Sequence, residues 1–277
     1  MTTIHEALQR ARKRFASVSD SPGLDAHVLL CEALGVERSY LLAHPEAELT
    51  AEQEARFERM VERHAAGEPV AYILGRRAFY DREFIVTPDV LIPRPETELL
   101  LERALAFARA HPVQAVVDVG TGSGALAVTF AAHVPDAQVY AIDISPAALD
   151  VARRNAIEHG VAERITFLQG DLVTPLIERG IQVDLVMANL PYIAAGELPE
   201  LAVSRYEPLL ALDGGADGLD LIRRLVAQLP LVCRPRALAL LEIGADQGEA
   251  VLKLVGESGV LHQDYAGLDR FVEYTPV

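Results

Sequence analysis

The run Val117-Asp118-Val119-Gly120-Thr121-Gly122-Ser123-Gly124-Ala125 constrains this chain more than any other feature. The apolar residues 115–119 read as a strand buried on both faces, as strands of parallel sheets are. Three alternating glycines end it where a helix begins. They permit the sharp turn and a close approach of backbone to ligand. Further strands are expected at 139–142, 165–168, 183–188 and 237–243, with a sixth near 262–265 and a seventh at 270–274. Residues 147–155 read as a helix. Strands that alternate with helices predict an α/β, doubly wound, Rossmann-like sheet, here of seven strands and starting near residue 94.

The first 74 residues have another rhythm. Ile4, Leu8, Ala11 and Phe15 share one helical face. Leu24, Val28, Leu29, Ala33 and Leu34 form a second apolar stretch that stops at Gly35, a good C-cap. Thr50 to Gln53 has the form of a capping box and opens a helix with Phe57, Met60, Val61 and His64, closed by Gly67 and Pro69. His64 is read as structural. Between the halves, 78–80 and 83–86 suggest a hairpin turning at Asp81-Arg82. Pro88, Pro93 and Pro95 then give a stiff linker, and Pro95 suits the first turn of a helix with Glu96 and Glu98 near its positive end. The expected domains are 1–74 (helical, substrate recognition), 75–93 (hairpin linker) and 94–277 (the α/β domain).

The glycine loop fits two cofactors. Gly120, Gly122 and Ala125 satisfy the looser dinucleotide pattern G-x-G-x-x-A, so NAD is a rival. Asp143, at the end of the second strand, serves ribose hydroxyls in either cofactor. Two features favour S-adenosylmethionine (SAM). Asp118 suits the methionine moiety and would repel a pyrophosphate. After the third strand, Asp171 is placed to accept from an adenine amino group and Leu172 to cover the ring. The candidate cofactor residues are therefore Asp118, Gly120, Thr121, Gly122, Ser123, Gly124, Asp143, Asp171, Leu172 and Asn189.

The fourth strand runs into Asn189-Leu190-Pro191-Tyr192, at the edge where open α/β sheets bind ligands. A planar amide or exocyclic amino nitrogen is a poor nucleophile, because its lone pair is delocalised. An enzyme that methylates it gains from accepting both N–H groups, which aims the nitrogen and stabilises developing positive charge. The Asn189 side-chain carbonyl and the Leu190 backbone carbonyl are the acceptors, and Tyr192 is an aromatic wall. Asn189, Leu190, Pro191 and Tyr192 are thus the candidate catalytic and substrate-binding residues. This transfer calls for neither a metal nor a covalent intermediate.

The tetrapeptide resembles the Asn-Pro-Pro-Tyr signature of SAM-dependent amino-group methyltransferases. A longer set of segments is similar to the release factor glutamine N5-methyltransferases (HemK/PrmC-like). They are residues 67–75 (Gly-Glu-Pro-Val-Ala-Tyr-Ile-Leu-Gly), Phe79-Tyr80, 91–98 (Leu-Ile-Pro-Arg-Pro-Glu-Thr-Glu), 118–124, 214–220 (Gly-Gly-Ala-Asp-Gly-Leu-Asp) and 241–244 (Leu-Glu-Ile-Gly). The resemblance implies a helical domain, a hairpin and a seven-stranded methyltransferase domain. It implies methyl transfer from SAM to the glutamine of a Gly-Gly-Gln loop, with Gly120–Gly124, Asp143, Leu172 and Asn189 on SAM and 189–192 on the glutamine. Two departures stand out: Leu190 where the family usually has Pro, and Arg234-Pro235-Arg236 where Pro-Gly-Gly is common. Leu keeps the carbonyl but frees φ, and Pro191 still biases residue 190 towards extended backbone.

Charge bears on the rival readings. With 25 Lys and Arg against 40 Asp and Glu, the formal charge is −15, a poor basis for duplex binding. An adenine-N6 nucleic-acid methyltransferase is the alternative enzyme, and a SAM-binding scaffold the non-enzymatic one. Release factors are the expected partners, with no stable nucleic-acid or membrane binding. Two cysteines, Cys31 and Cys233, allow no disulfide framework, no Cys/His cluster has zinc spacing, and a reducing, cytoplasmic setting is expected. The basic start (Arg10, Arg12, Lys13, Arg14) reads as a surface helix, with a transit peptide as its alternative.

Overall fold

A computed structural model describes residues 2–276, so the first and last residues of the expected domains, Met1 and Val277, lie outside the described residues. Two compact units divide between Arg76 and Arg77.

The first unit is helical: α1 (Ile4–Phe15), α2 (Pro22–Leu34), α3 (Arg38–Ala43), α4 (Ala51–Ala65) and α5 (Val70–Leu74). Thr3 with Glu6 and Thr50 with Gln53 form reciprocal capping boxes at α1 and α4. Each supplies a side-chain partner to N–H groups that a helix start leaves free. Ile4, Ala7, Ala11 and Phe15 form the buried stripe of α1. They meet Leu29, Leu30, Phe57 and Val61 in one core. Leu24, expected in the stripe of α2, is instead 49% exposed, and Ala26 takes the inward position. Gly35 ends α2 at φ +70°. His64 is buried between Asp25 Oδ2 at 3.1 Å and the Glu68 carbonyl at 2.8 Å, a satisfied core histidine.

A hairpin, β1 (Arg76–Phe79) and β2 (Arg82–Ile85), begins at the last residue of the first unit and belongs from Arg77 on to the second. Its turn lies at Tyr80-Asp81, one residue before the expected one. Tyr80 adopts φ +57° and donates its N–H to Glu98 Oε1 at 2.9 Å, a partner eighteen positions away. Phe79 and Phe84 belong to the main core of this unit. From Arg77 on, the span expected as a linker is therefore built into the second unit.

The remaining elements are α6 (Thr97–Ala110), β3 (Ala115–Val119), α7 (Ala125–His133), β4 (Gln138–Asp143), α8 (Pro146–Glu158), β5 (Ile165–Gln169), α9 (Thr174–Glu178), β6 (Val183–Ala188), α10 (Asp220–Gln228), β7 (Cys233–Glu242), α11 (Gly248–Val255), β8 (Val260–Gln263) and β9 (Asp269–Tyr274). Pro95 stands ahead of α6 in a tight turn rather than inside its first turn. β8 begins and ends two residues earlier than expected. Asp264 accepts N–H groups from Ala266 and Leu268 and so commits 264–268 to a turn.

The sheet has the order β5-β4-β3-β6-β7-β9-β8, with β9 antiparallel to its neighbours β7 and β8. Successive residues of its strands point to opposite faces. Val116, Leu185 and Met187 enter one core with residues of α6 and α7, while Val117, Val119 and Val186 enter another with residues of α10. Each such side chain removed from water contributes about 1.5–3 kcal/mol. Chain order reverses between β3 and β6, so the crevice at their carboxyl ends is the switch point where such sheets take ligands.

Candidate active site

Register brings the two motifs together. Val119 lies opposite Ile142 on β4 and Ala188 on β6. The residues that follow, Gly120, Asp143 and Asn189, therefore leave the sheet side by side. One cavity is lined by residues after four strands: Asp118 and 119–123, 142–145, 170–172 and 189–191. Arg94 from the turn before α6 and Thr97 at the start of α6 also line it, as does Arg224 of α10.

The glycine loop is held from below. Gly120 and Thr121 both donate to the Ile142 carbonyl at 2.9 Å. Asp118 is 1% exposed; its Oδ2 accepts from Thr121 Oγ1 at 2.6 Å and from the Ala127 N–H at 3.1 Å. That leaves Oδ1 as the oxygen available to a ligand. Burial, against those hydrogen bonds, pushes Asp118 up to about 7, and the nearby Asp143 adds to the rise. Asp143 itself accepts from the Gly122 N–H and the Ser145 N–H, each at 2.9 Å. Burial raises its pKa as well. Asn155, wholly buried on α8, donates to the Ser123 carbonyl at 2.8 Å and exchanges hydrogen bonds with Ile85 of β2. In the sequence Asn155 is visible only as a position in a helix, because its partners Ser123 and Ile85 lie far off along the chain.

These residues fit SAM. A Cβ added at Gly122, at φ +54°, would meet nothing nearer than Gly120 O at 4.0 Å. What glycine keeps open there is cavity space. The buried Asp118 has no cation of its own among its hydrogen-bond partners, which suits a ligand carrying an ammonium and a sulfonium. Arg94 is paired with the buried Glu207 at 2.5 Å, and Arg224 is paired with Asp171. Both cavity arginines are thus committed to carboxylates, and neither offsets the repulsion between Asp118 and a pyrophosphate.

Asp171 lies on the cavity wall with its carboxylate on Arg224. Leu172 is buried there at φ +50°, a left-handed backbone held by its packing into the core. Thr121, Ser123 and Gly124 hold the loop's shape. Gly124, at φ +81°, caps α7, and a Cβ there would meet Ala152 at 3.1 Å.

In the tetrapeptide, Asn189, Leu190 and Pro191 line the cavity and Tyr192 is not among the lining residues. Its ring, expected as an aromatic wall, is mostly buried near Glu242, Arg94 and Arg270, where burial first and the Glu242 charge second push its hydroxyl up to about 12. Its backbone carbonyl accepts from Gln247 Nε2 at 2.9 Å. The loop is braced by 214–218. Gly214 donates to the Ile193 carbonyl at 2.8 Å. A Cβ on Gly214 would lie 2.8 Å from Pro191 O, and one on Gly218, at φ +76°, 2.2 Å from Tyr192 O. Gly214 and Gly218 let this segment lie against the acceptor loop.

Two site residues escaped the sequence reading. Asn189 Nδ2 donates to Thr97 Oγ1 at 3.0 Å. Glu242, at the end of β7, is 4% exposed beside both. Burial pushes it up to about 7, and hydrogen bonds from Thr97 and Asn189 oppose the rise.

Comparison with known proteins places the chain in a family. Residues 6–75 match the family model described as the PrmC N-terminal domain, and 116–214 that described as a methyltransferase domain. The chain is 45% identical to the release factor glutamine methyltransferase of Moorella thermoacetica over 98% of each chain. It is 41% identical to that of Bacillus subtilis, over 98% of this chain and 97% of the other. Among solved structures, the hMettl16 catalytic domain, solved in complex with a 3′UTR hairpin, aligns at a TM-score of 0.55 and 13% identity, covering 86% of this chain and 85% of that one. A SAM-dependent methyltransferase of Agrobacterium tumefaciens aligns at 0.50 and 14% identity, covering 73% and 70%. At such identities these structures speak for the fold alone.

Proposed function

The chain belongs to the release factor glutamine methyltransferases, and from that premise we propose that it transfers the methyl group of SAM to the side-chain amide nitrogen of the glutamine in a release factor's Gly-Gly-Gln motif. Near-identical length and 45% identity to the Moorella relative support the reaction as a whole. The observation that carries the assignment of residues is the adjacency of Asn189–Pro191 to the glycine loop along one cavity.

SAM supplies an electrophilic methyl on a sulfonium. Asp118, Asp143 and the loop 120–124 would hold it, with Asp171 and Leu172 towards the adenine. Asn189 Oδ1 and the Leu190 carbonyl accept the two N–H groups of the glutamine amide. These contacts would aim the nitrogen at the methyl and offset the positive charge it gains as the sulfonium gives up its methyl and leaves as the neutral thioether. One amide proton leaves to solvent, and the product is the N-methylated side chain. Pro191 keeps residue 190 extended, and so aims its carbonyl.

The helical unit, which carries no chemical motif, recognises the protein substrate in this reading. The −15 charge supports a protein rather than a nucleic-acid duplex as substrate. No described helix is long and apolar enough to cross a membrane, and the free thiols of Cys31 and Cys233 support a cytoplasmic setting. Mass spectrometry of a release factor incubated with enzyme and SAM tests the proposal, with DNA as control. One added methyl on the Gly-Gly-Gln peptide is expected. Methylated DNA with an unmodified release factor would overturn it.

A further inference from the structure

The end of β7 carries a buried acid to which the proposed mechanism gives no part. Ala188 pairs with Leu241, so Asn189 and Glu242 leave the sheet as neighbours. Thr97 stands over both at the start of α6. The Asn189 amide donates to Thr97 Oγ1 at 3.0 Å, and Thr97 and Asn189 both favour the ionised form of the neighbouring Glu242. Glu242 is not among the residues that line the cavity, and its Oε2 is buried without a hydrogen-bond partner among the described residues.

A side-chain amide has two nearly equivalent orientations, and only one is useful here. A hydroxyl donates one proton and accepts on its lone pairs, whereas a carboxylate only accepts. Beside an ionised Glu242, Thr97 turns its proton towards the acid and receives the Asn189 amide on its oxygen. Without that acceptor, Thr97 is free to donate to Asn189 Oδ1, and the amide turns round.

We propose that Glu242 is a positioning residue for methyl transfer: through Thr97 it fixes the orientation of the Asn189 amide, so that Oδ1 faces the target nitrogen and NH2 faces the protein. The inference rests on the methyl-transfer reading above and gives that site its source of orientation. It also explains why an acid is kept where burial is costly. An isosteric amide would be cheaper to bury, but it would donate as well as accept and leave the orientation unspecified.

Protonation has the same effect as removing the charge. Glu242 faces Glu96 ahead of α6, Arg270 of β9, the Tyr192 hydroxyl, and Thr97 and Asn189. With a pKa of about 7 it gains its proton as pH falls through that value. A neutral acid can donate to Thr97 and release the relay.

The test is Glu242→Gln in the full-length enzyme. Its kcat on release factor is expected to fall about 10- to 100-fold, less than the roughly 10²–10³ for losing an acceptor outright. SAM affinity by calorimetry should stay within about threefold, and thermal stability at pH 8 should be equal or higher. In wild type, kcat should fall on the acid side of pH 7, and Glu242→Gln should lack that limb. Glu242→Asp should recover part of kcat. A kcat within twofold of wild type, or an acid limb that persists in Glu242→Gln, would overturn the proposal. Should that variant fail to fold, Thr97→Ala is expected to show the same loss of kcat with SAM binding retained, and unchanged kcat would overturn it equally. A readout independent of catalysis is the Asn189 side-chain NH2 pair in 15N NMR, assigned by its loss in Asn189→Asp. Two slowly exchanging protons are expected in wild type and fast exchange in Glu242→Gln; equal exchange in both would overturn the proposal. An enzyme that leaves release factor unmethylated would instead refute the methyl-transfer reading, while the NMR result still decides the role of Glu242.

Discussion

Asp118→Asn separates charge from shape at the foot of the cofactor loop. Asp118 Oδ2 accepts from Thr121 at 2.6 Å and from the Ala127 N–H at 3.1 Å, and an Asn carbonyl in the same place accepts both. What changes is the charge. Burial raises Asp118 from 3.8 to about 7 in the folded chain, so the unfolded chain loses its proton first as pH rises. The acid's contribution to stability is therefore largest at about pH 4 and below, falls between about pH 4 and 7, and stays at its lowest above that. At about 1.36 kcal/mol per decade, a rise from 3.8 to about 7 amounts to on the order of 4 kcal/mol. Without SAM, Asp118→Asn should gain up to that amount over wild type at pH 8 and almost nothing at pH 4, measured by urea unfolding. SAM binding should move the opposite way. A cationic ligand favours the ionised carboxylate, so wild type should release part of a proton on binding near pH 7, seen by calorimetry in two buffers of different ionisation enthalpy. Asp118→Asn should bind SAM more weakly by about 1.5–3 kcal/mol at pH 8 and release no such proton. If the variant is less stable than wild type at pH 8, or binds SAM as tightly, the acid acts as a hydrogen-bond acceptor and the charge argument fails.

Asn189→Ala removes one of two acceptors for the glutamine amide; kcat should drop by about 10²–10³ with SAM affinity little changed, and a kcat near wild type would remove Asn189 from the chemistry. Gly218→Ala puts a Cβ 2.2 Å from Tyr192 O at φ +76°; the acceptor loop must shift, so kcat should fall at least about tenfold although residue 218 does not line the cavity, as steady-state kinetics on release factor would show. Leu190→Pro keeps the acceptor carbonyl but removes a buried side chain that is 5% exposed; it should lower stability by about 1–2 kcal/mol in urea unfolding while kcat stays within about threefold. A folded, inactive Leu190→Pro would show that the leucine side chain or N–H takes part.

Legibility in the sequence followed distance along the chain. The glycine turn, Asp143 and Asn189–Pro191 are local signals, because strand ends and φ-permissive residues are written in adjacent positions. Thr97 and Glu242 were invisible as site residues because their role arises from the pairing of Ala188 with Leu241 and from the seating of α6. One signal for Glu242 did exist: a lone carboxylate closing the apolar run 237–241, where an unpaired charge is expensive. The hairpin turn moved by one residue for a similar reason, since the left-handed Tyr80 is held by Glu98, far off in sequence. Tyr192 is expected to be a wall from its neighbours in the motif, whereas the groups that act on its hydroxyl, Glu242, Arg94 and Arg270, come from parts of the chain far off in sequence.

Leu190 shows how a departure from a family's habit becomes intelligible in three dimensions. A Cβ on Gly120, at φ +74°, would lie 3.1 Å from Leu190 Cδ2 and 3.5 Å from the Asn189 carbonyl. The first glycine of the cofactor loop is therefore demanded twice, by its own backbone conformation and by the acceptor loop packed on it. Proline at 190 would fix the acceptor through its ring. Leucine achieves a comparable restraint by burying its side chain with Leu219 and Ile222 in the core on that face of the sheet. A rigid acceptor is what the transfer requires, and a buried side chain supplies rigidity as a ring does, through contacts that the tetrapeptide alone does not display.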